Sequence, residues 1–180
     1  MSSDSDFAGK VCVITGAAMG LGLALAQEFA RAKARVVMAD INLNLAEQEA
    51  AALRKTGLEA IALALDVTDA AAMGRLIESV KASHGRIDYF VNNAGVAILG
   101  EIRDFSLDLW QRVLQVNLFG TLHGIHHIYP VMVQQKSGHI INIASGFGLA
   151  PGPINGPYVT SKFAIVGLSD RTIQCFIKLV

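Results

Sequence analysis

Apolar and polar positions fall in blocks along this chain, and the blocks read alternately as strands and helices. The run Val11–Thr15 is short, unbroken and stopped by a glycine, which predicts a buried strand. Leu21–Ala32 carries its apolar residues at helical spacing. Arg35–Asp40 predicts a second strand, and Leu45–Lys55 a polar-faced helix closed by Gly57. Glu59–Leu65 predicts a third strand. Asp69 caps a helix that runs to His84, with Gly85 behind it. Ile87–Asn92 predicts a fourth strand. Leu107–Gln135 is one long helical stretch that Pro130 should kink. His139–Ala144 predicts a fifth strand, and Pro157 opens a last helix. The tail is ambiguous: Ile173, Phe176, Ile177 and Val180 suit a helix face, whereas Ile173, Cys175, Ile177 and Leu179 alternate as in a strand.

Strands alternating with helices predict an α/β fold, a doubly wound parallel sheet of Rossmann type, as a single domain over residues 1–180. The chain is long enough for one sizeable core and too short for two. Ligands of such sheets sit outside the carboxyl ends of the strands, at the topological switch point. Composition sharpens the picture. Of the 180 residues 52% are hydrophobic and 17% charged, where an average domain has about 25% charged. That shortfall suits a sheet covered on both faces, or surface hidden in a homo-oligomer. The 15 basic and 15 acidic residues cancel; without a basic stripe, nothing steers the chain to nucleic acid or an anionic membrane. Zero net charge favours self-association. No apolar run reaches the ~18 residues of a membrane span, and Met1–Phe7 is polar and acidic, unlike a signal peptide. The two cysteines, Cys12 and Cys175, make no disulfide framework, and Cys12 reads as a small core residue. The expectation is a cytoplasmic protein.

Five motifs fall at the predicted strand ends. Thr15-Gly16-Ala17-Ala18-Met19-Gly20-Leu21-Gly22 follows a strand and opens a helix. Glycines there let backbone approach a pyrophosphate, and the helix start offers free N–H groups. The spacing is not G-x-G-x-x-G; taken alone, a tight strand-to-helix turn explains it equally well. Asp40 lies ~20 residues beyond, where an acid bonds the ribose 2′-OH of NAD and repels a 2′-phosphate. No lysine or arginine stands in the turn or just after Asp40, so NAD is favoured over NADP; the plain alternative is a solvated strand-end acid. Asp66-Val67 ends the third strand within reach of an adenine, although an Asp before a Thr also serves as a turn residue. Asn92-Asn93-Ala94-Gly95 ends the fourth with small residues that let the chain pass close to a cofactor. Ser145 precedes Tyr158-Val159-Thr160-Ser161-Lys162, in which Tyr158 and Lys162 share a helix face. A tyrosine has a pKa of ~10. A nearby ammonium and the helix dipole both lower it toward that of a usable base. His123, His126 and His127 fall at helical spacing without a metal-site pattern, and read as a helix face at a subunit contact.

With these motifs in this order, residues 10–168 resemble the short-chain dehydrogenase/reductase family. The resemblance implies that Gly16, Gly20 and Gly22, with Met19 and Leu21 between them, hold the pyrophosphate, and that Asp40 selects NAD. It implies that Asp66 and Val67 flank the adenine while Asn93, Ala94 and Gly95 line the cofactor floor. Asn117 would belong to a proton relay, Ser145 would hold the substrate oxygen, Tyr158 would be the general acid/base, and Lys162 would lower its pKa and bind the nicotinamide ribose. The activity implied is hydride transfer between a secondary alcohol or ketone and the nicotinamide.

Family members continue with a sixth strand, a substrate-covering segment and a seventh strand; this chain ends at Val180 and has no proline after Pro157. The expected sheet therefore lacks the family's last strands, and its fifth strand, with Ile140, Ile141 and Ile143, becomes an edge. Three readings follow: an active dehydrogenase, a truncated isoform that binds NAD with little turnover, or a non-catalytic partner of full-length relatives. Val96–Gly100 and Gly146–Asn155, mostly apolar or glycine, would line what remains of the substrate site and hint at an uncharged alcohol or ketone.

Overall fold

Val11–Thr15 (β1) is buried along its whole length and stands at the centre of the sheet. The computed structural model describes residues 7–150 and 155–177; the polar start up to residue 6, residues 151–154, the last three residues and the side chains of residues 170–177, Cys175 among them, lie outside the described set. Around β1 lie Arg35–Asp40 (β2), Ala60–Ala64 (β3), Tyr89–Asn92 (β4) and His139–Asn142 (β5). The order is β3-β2-β1-β4-β5 and every pairing is parallel. The chain winds outward from β1 to β3, then crosses back to lay β4 on the other side of β1. That reversal puts the switch point between the ends of β1 and β4.

Alternation along β1 splits the core into two layers. Cys12 and Ile14 pack with Val36, Met38 and the alanines of Gly20–Arg31 (α1) and Leu43–Lys55 (α2). Val11 and Val13 pack on the other face with Phe90, with Met73 and Ile77 of Ala70–His84 (α3), and with Ile128 and Met132 of Gly120–Gln135 (α5). Cys12 is fully buried and unpaired. Burial, with the Asp88 carboxylate nearby, pushes its thiol far above the ordinary range, so it is an inert core residue.

The helix signals read from sequence have physical counterparts. Asp69 Oδ1 accepts from the Ala72 N–H at 2.9 Å, and Gly85 closes α3 at φ +78°. Asn42 caps α2, which therefore starts at Leu43, two residues before the apolar pattern suggested. The long stretch 107–135 is helical throughout, as expected, but not α-helical throughout. Leu107–Leu114 (α4) and α5 are joined by a π-helical segment, Gln115–Phe119, and Pro130 lies inside α5. The departure from α geometry sits at Asn117, whose side chain is tied to two other segments, as described below. The fifth strand ends at Asn142 rather than Ala144. The tail is helical: Gly156–Ile177 forms one helix (α6), which overturns the strand alternative. Among the described strands β5 pairs with β4 alone, so it is an edge, and Ile141 is 36% exposed there. Among the described residues no helix is long and apolar enough to cross a membrane.

Candidate active site

The glycine turn is held against the end of β4. Gly16 has φ +65°, and a Cβ there would lie 2.8 Å from the Ala94 Cα. A Cβ on Gly22 would collide with the Gly16 carbonyl oxygen. Gly20 opens α1 at φ +58° with open space around it, so the first N–H groups of α1 face a free approach. Asn93 Nδ2 donates to the carbonyls of Thr15 and Gly16, and the Thr15 hydroxyl accepts from the N–H groups of Asn93 and Ala94. Thr15 is thus a hinge pin of the site that the sequence reading quoted only as the start of a motif. A polar residue ending an otherwise apolar strand, just before the first glycine, was the signal for it.

Asp40 ends β2 with both carboxylate oxygens engaged. Oδ2 accepts from the Ala18 N–H and Oδ1 from the Asn42 N–H, each at 2.9 Å. An ionised carboxylate has about four acceptor positions, so capacity remains for a ligand hydroxyl. Asp66 is exposed and folds back on Thr68, accepting from its N–H at 2.9 Å and its hydroxyl at 2.8 Å. The turn function and the position beside the cavity therefore coexist in one residue. Val67 is buried against Gly120.

Asn117 is buried in the π-helical segment and bonded to two other parts of the chain. Its Oδ1 accepts from the Val96 N–H at 2.8 Å, while Nδ2 donates to the Val96 carbonyl at 2.9 Å and to Ser161 Oγ at 3.1 Å. It therefore clamps the segment after Gly95 to the first turns of α6. Lys162 is buried; its Nζ donates to the Ile143 carbonyl at 2.6 Å and stands 5.4 Å from the centre of the Tyr158 ring. Desolvation holds its pKa below the ordinary lysine value. Ser145 Oγ accepts from the Phe147 N–H at 3.2 Å, which leaves its own proton free to donate. The Phe147 ring meets that of Tyr158 edge-on at 6.4 Å, so Ser145 and Tyr158 flank the same aromatic side chain.

These segments enclose a cavity of about 810 Å³, within the usual size of a small-molecule site. Gly16, Gly20, Asp40, Asp66, Tyr158 and Lys162 all line it, as do Met19, Leu21, Gly22, Val67, Asn93, Ala94 and Gly95. Asn117 and Ser145 are not among the residues that line it. Val96 and Ala97 line the cavity as expected, whereas Ile98–Gly100 and the described part of Gly146–Asn155 do not. The latter fold away into a short turn over α6, where Gly148 rests on the Lys162 carbonyl. Ile41, Leu65, Arg112 and Val116 are wall residues that the sequence reading did not name. The histidines do not form one outward face. His123 Nδ1–H donates to the Val67 carbonyl at 2.9 Å, and His127 packs over Gly74 of α3, which leaves His126 exposed.

The sequence profile described as short chain dehydrogenase matches residues 10–175. The chain belongs to the short-chain dehydrogenase family. It is 34% identical over 160 residues to the uncharacterized oxidoreductase YxjF of Bacillus subtilis (strain 168), covering 89% of this chain and 62% of that one. It is 38% identical over 171 residues to D-threitol dehydrogenase of Mycolicibacterium smegmatis, covering 94% and 66%. Among solved structures, an NAD-bound xylitol dehydrogenase superposes with a TM-score of 0.92 at 33% identity, covering 96% of this chain and 67% of that one. A Burkholderia phymatum family member in complex with NAD gives 0.90 at 35% identity, covering 92% and 59%. A metagenomic family member in complex with NADP gives 0.91 at 31% identity, covering 96% and 79%. The chain thus spans about two thirds of the length of the relatives it matches, and its structural neighbours include proteins bound to either nicotinamide cofactor.

Proposed function

We propose that the chain is an NAD-dependent oxidoreductase acting on a secondary alcohol or ketone, with polyols as the first substrates to try. The observation that carries this reading is that the glycine turn, Asp40, Tyr158 and Lys162 line one cavity. The fit to a dinucleotide rests on the turn itself: Gly16 and Gly22 let it pack tightly on Ala94 and on its own backbone, where a Cβ would collide, and Gly20 faces open space. In this reading Gly16, Met19, Gly20, Leu21 and Gly22 hold the pyrophosphate, and Asp40 accepts from the ribose hydroxyl and disfavours a 2′-phosphate. Asp66 and Val67 flank the adenine, and Asn93, Ala94 and Gly95 form the floor. The polyol suggestion draws on the relatives named for D-threitol and xylitol.

When bound, the nicotinamide ring accepts or returns the hydride. The chain's own residues handle the proton and the geometry. The free Ser145 proton bonds the substrate oxygen. Tyr158 takes the carbinol proton on its phenolate oxygen in oxidation and gives it back from the resulting hydroxyl in reduction. The Lys162 ammonium, 5.4 Å from the centre of the Tyr158 ring, holds the nicotinamide ribose beside that hydroxyl. Asn117 keeps α6 and the floor segment in register and serves as a member of the proton relay. A cytoplasmic homo-oligomer completes the reading; the exposed Phe119, Leu122 and Phe163 support the oligomer.

The test is NAD reduction with a polyol panel by the wild-type chain and by Tyr158→Phe. The expected result is turnover that falls by about 10²–10⁴-fold in the variant, with NAD affinity unchanged. Turnover that survives the substitution sinks the assigned role.

A further inference from the structure

Arg112 is a cation on the cavity wall that the roles above leave unused. Its side chain is exposed, and it enters no ion pair or side-chain hydrogen bond among the described residues. It lies on α4, one turn before Val116, which lines the same cavity. One turn further on, Gly120 lies against Val67, and His123 then donates to the Val67 carbonyl. Arg112, Val116, Gly120 and His123 therefore follow one stripe along the helix, at the spacing of helix-face neighbours. The far end of that stripe rests on the strand end that carries Asp66 and Val67.

That part of the cavity is lined mainly by apolar side chains. Ile41, Leu65, Val67 and Val116 make its walls, and the carboxylates of Asp40 and Asp66 stand beside it. We propose that the Arg112 guanidinium caps the adenine of the bound dinucleotide by stacking on its face. The inference rests on the dinucleotide reading above, in which Asp66 and Val67 flank that base. A guanidinium is planar and weakly hydrated, so it stacks on a ring where an ammonium does not. It also offsets the two carboxylates at that end. The pyrophosphate is the less apt target: the glycine turn meets it with N–H groups, and the stripe leads to Val67 rather than to Gly16.

The experiment is a calorimetric titration of the full chain with NAD, AMP and nicotinamide mononucleotide at low and high salt, using wild type, Arg112→Ala and Arg112→Lys. Both variants are expected to weaken NAD and AMP by the same factor, about 2- to 30-fold, to leave the mononucleotide unaffected, and to lose as much in high salt as in low. Full affinity in Arg112→Lys, a loss shared by the mononucleotide, a loss that vanishes in high salt, or no loss at all overturns the stacking assignment alone. A wild-type chain that binds neither NAD nor AMP overturns the dinucleotide reading, and this inference with it.

Discussion

Thr15 and Asn93 hold each other in both directions: the Thr15 hydroxyl accepts from the Asn93 N–H at 3.0 Å, and Asn93 Nδ2 donates to the Thr15 carbonyl at 2.9 Å. The same hydroxyl accepts from the Ala94 N–H at 3.1 Å and donates to the Val91 carbonyl at 3.3 Å. One side chain thus joins the ends of β1 and β4, where the winding of the sheet reverses and the cavity opens. Thr15→Val keeps the shape and removes the acceptor, which leaves two N–H groups without it in a nearly dry place. The expected loss is about 2–4 kcal/mol of stability, read from denaturant unfolding, with weaker NAD binding alongside. A loss below about 0.5 kcal/mol, the range of ordinary surface changes, contradicts the role given to this hydroxyl.

The three glycines of the turn should not respond alike to alanine. Gly16→Ala meets both a left-handed φ and the Ala94 backbone, and Gly22→Ala meets the Gly16 carbonyl. Gly20→Ala meets open space, so its penalty is the conformational one alone, about 1–2 kcal/mol. Unfolding measurements should rank Gly20→Ala as the mildest. NAD binding should nonetheless fall in that variant as well, because its new methyl stands at the free start of α1. Normal NAD affinity in Gly20→Ala would remove the pyrophosphate from that place.

Lys162 predicts a pH dependence of known sign. Desolvation lowers its pKa in the folded chain, so between that lowered value and the unfolded value of ~10.4 the unfolded state binds more protons. Stability from this group therefore rises with pH across that window, and the cost of burying its charge is fully present below it. Lys162→Met should remove the alkaline gain, visible as the wild-type-minus-variant difference in unfolding free energy from pH 7 to 10. A difference that stays flat or runs the other way contradicts the burial.

Much of the fold was legible because local chemistry and packing agree. β1 and β2 start and stop where the apolar runs do, and α3 lies between the cap Asp69 and Gly85. The helical stretch 107–135 was legible in its bounds, but the π-helical segment inside it was not. Pro130 is a local signal, whereas the π-helical segment answers to Asn117 reaching Val96 and Ser161, contacts 21 and 44 residues away that no window of sequence contains. The same holds for the wall of the cavity. Gly16, Asp40 and Tyr158 announce themselves through motif and position at element ends. Ile41, Leu65 and Val116 are ordinary apolar residues until the sheet brings them to one place. The tail shows the limit of periodicity: its apolar residues fit two periods, and continuation of the helix begun at Gly156 decides between them.

The most direct test of the central claim is a calorimetric titration of the purified chain with NAD and, separately, with NADP. The account predicts that NAD binds and that NADP binds more weakly, because in the proposed site the Asp40 carboxylate would repel a 2′-phosphate. Binding of neither, or a preference for NADP, contradicts it.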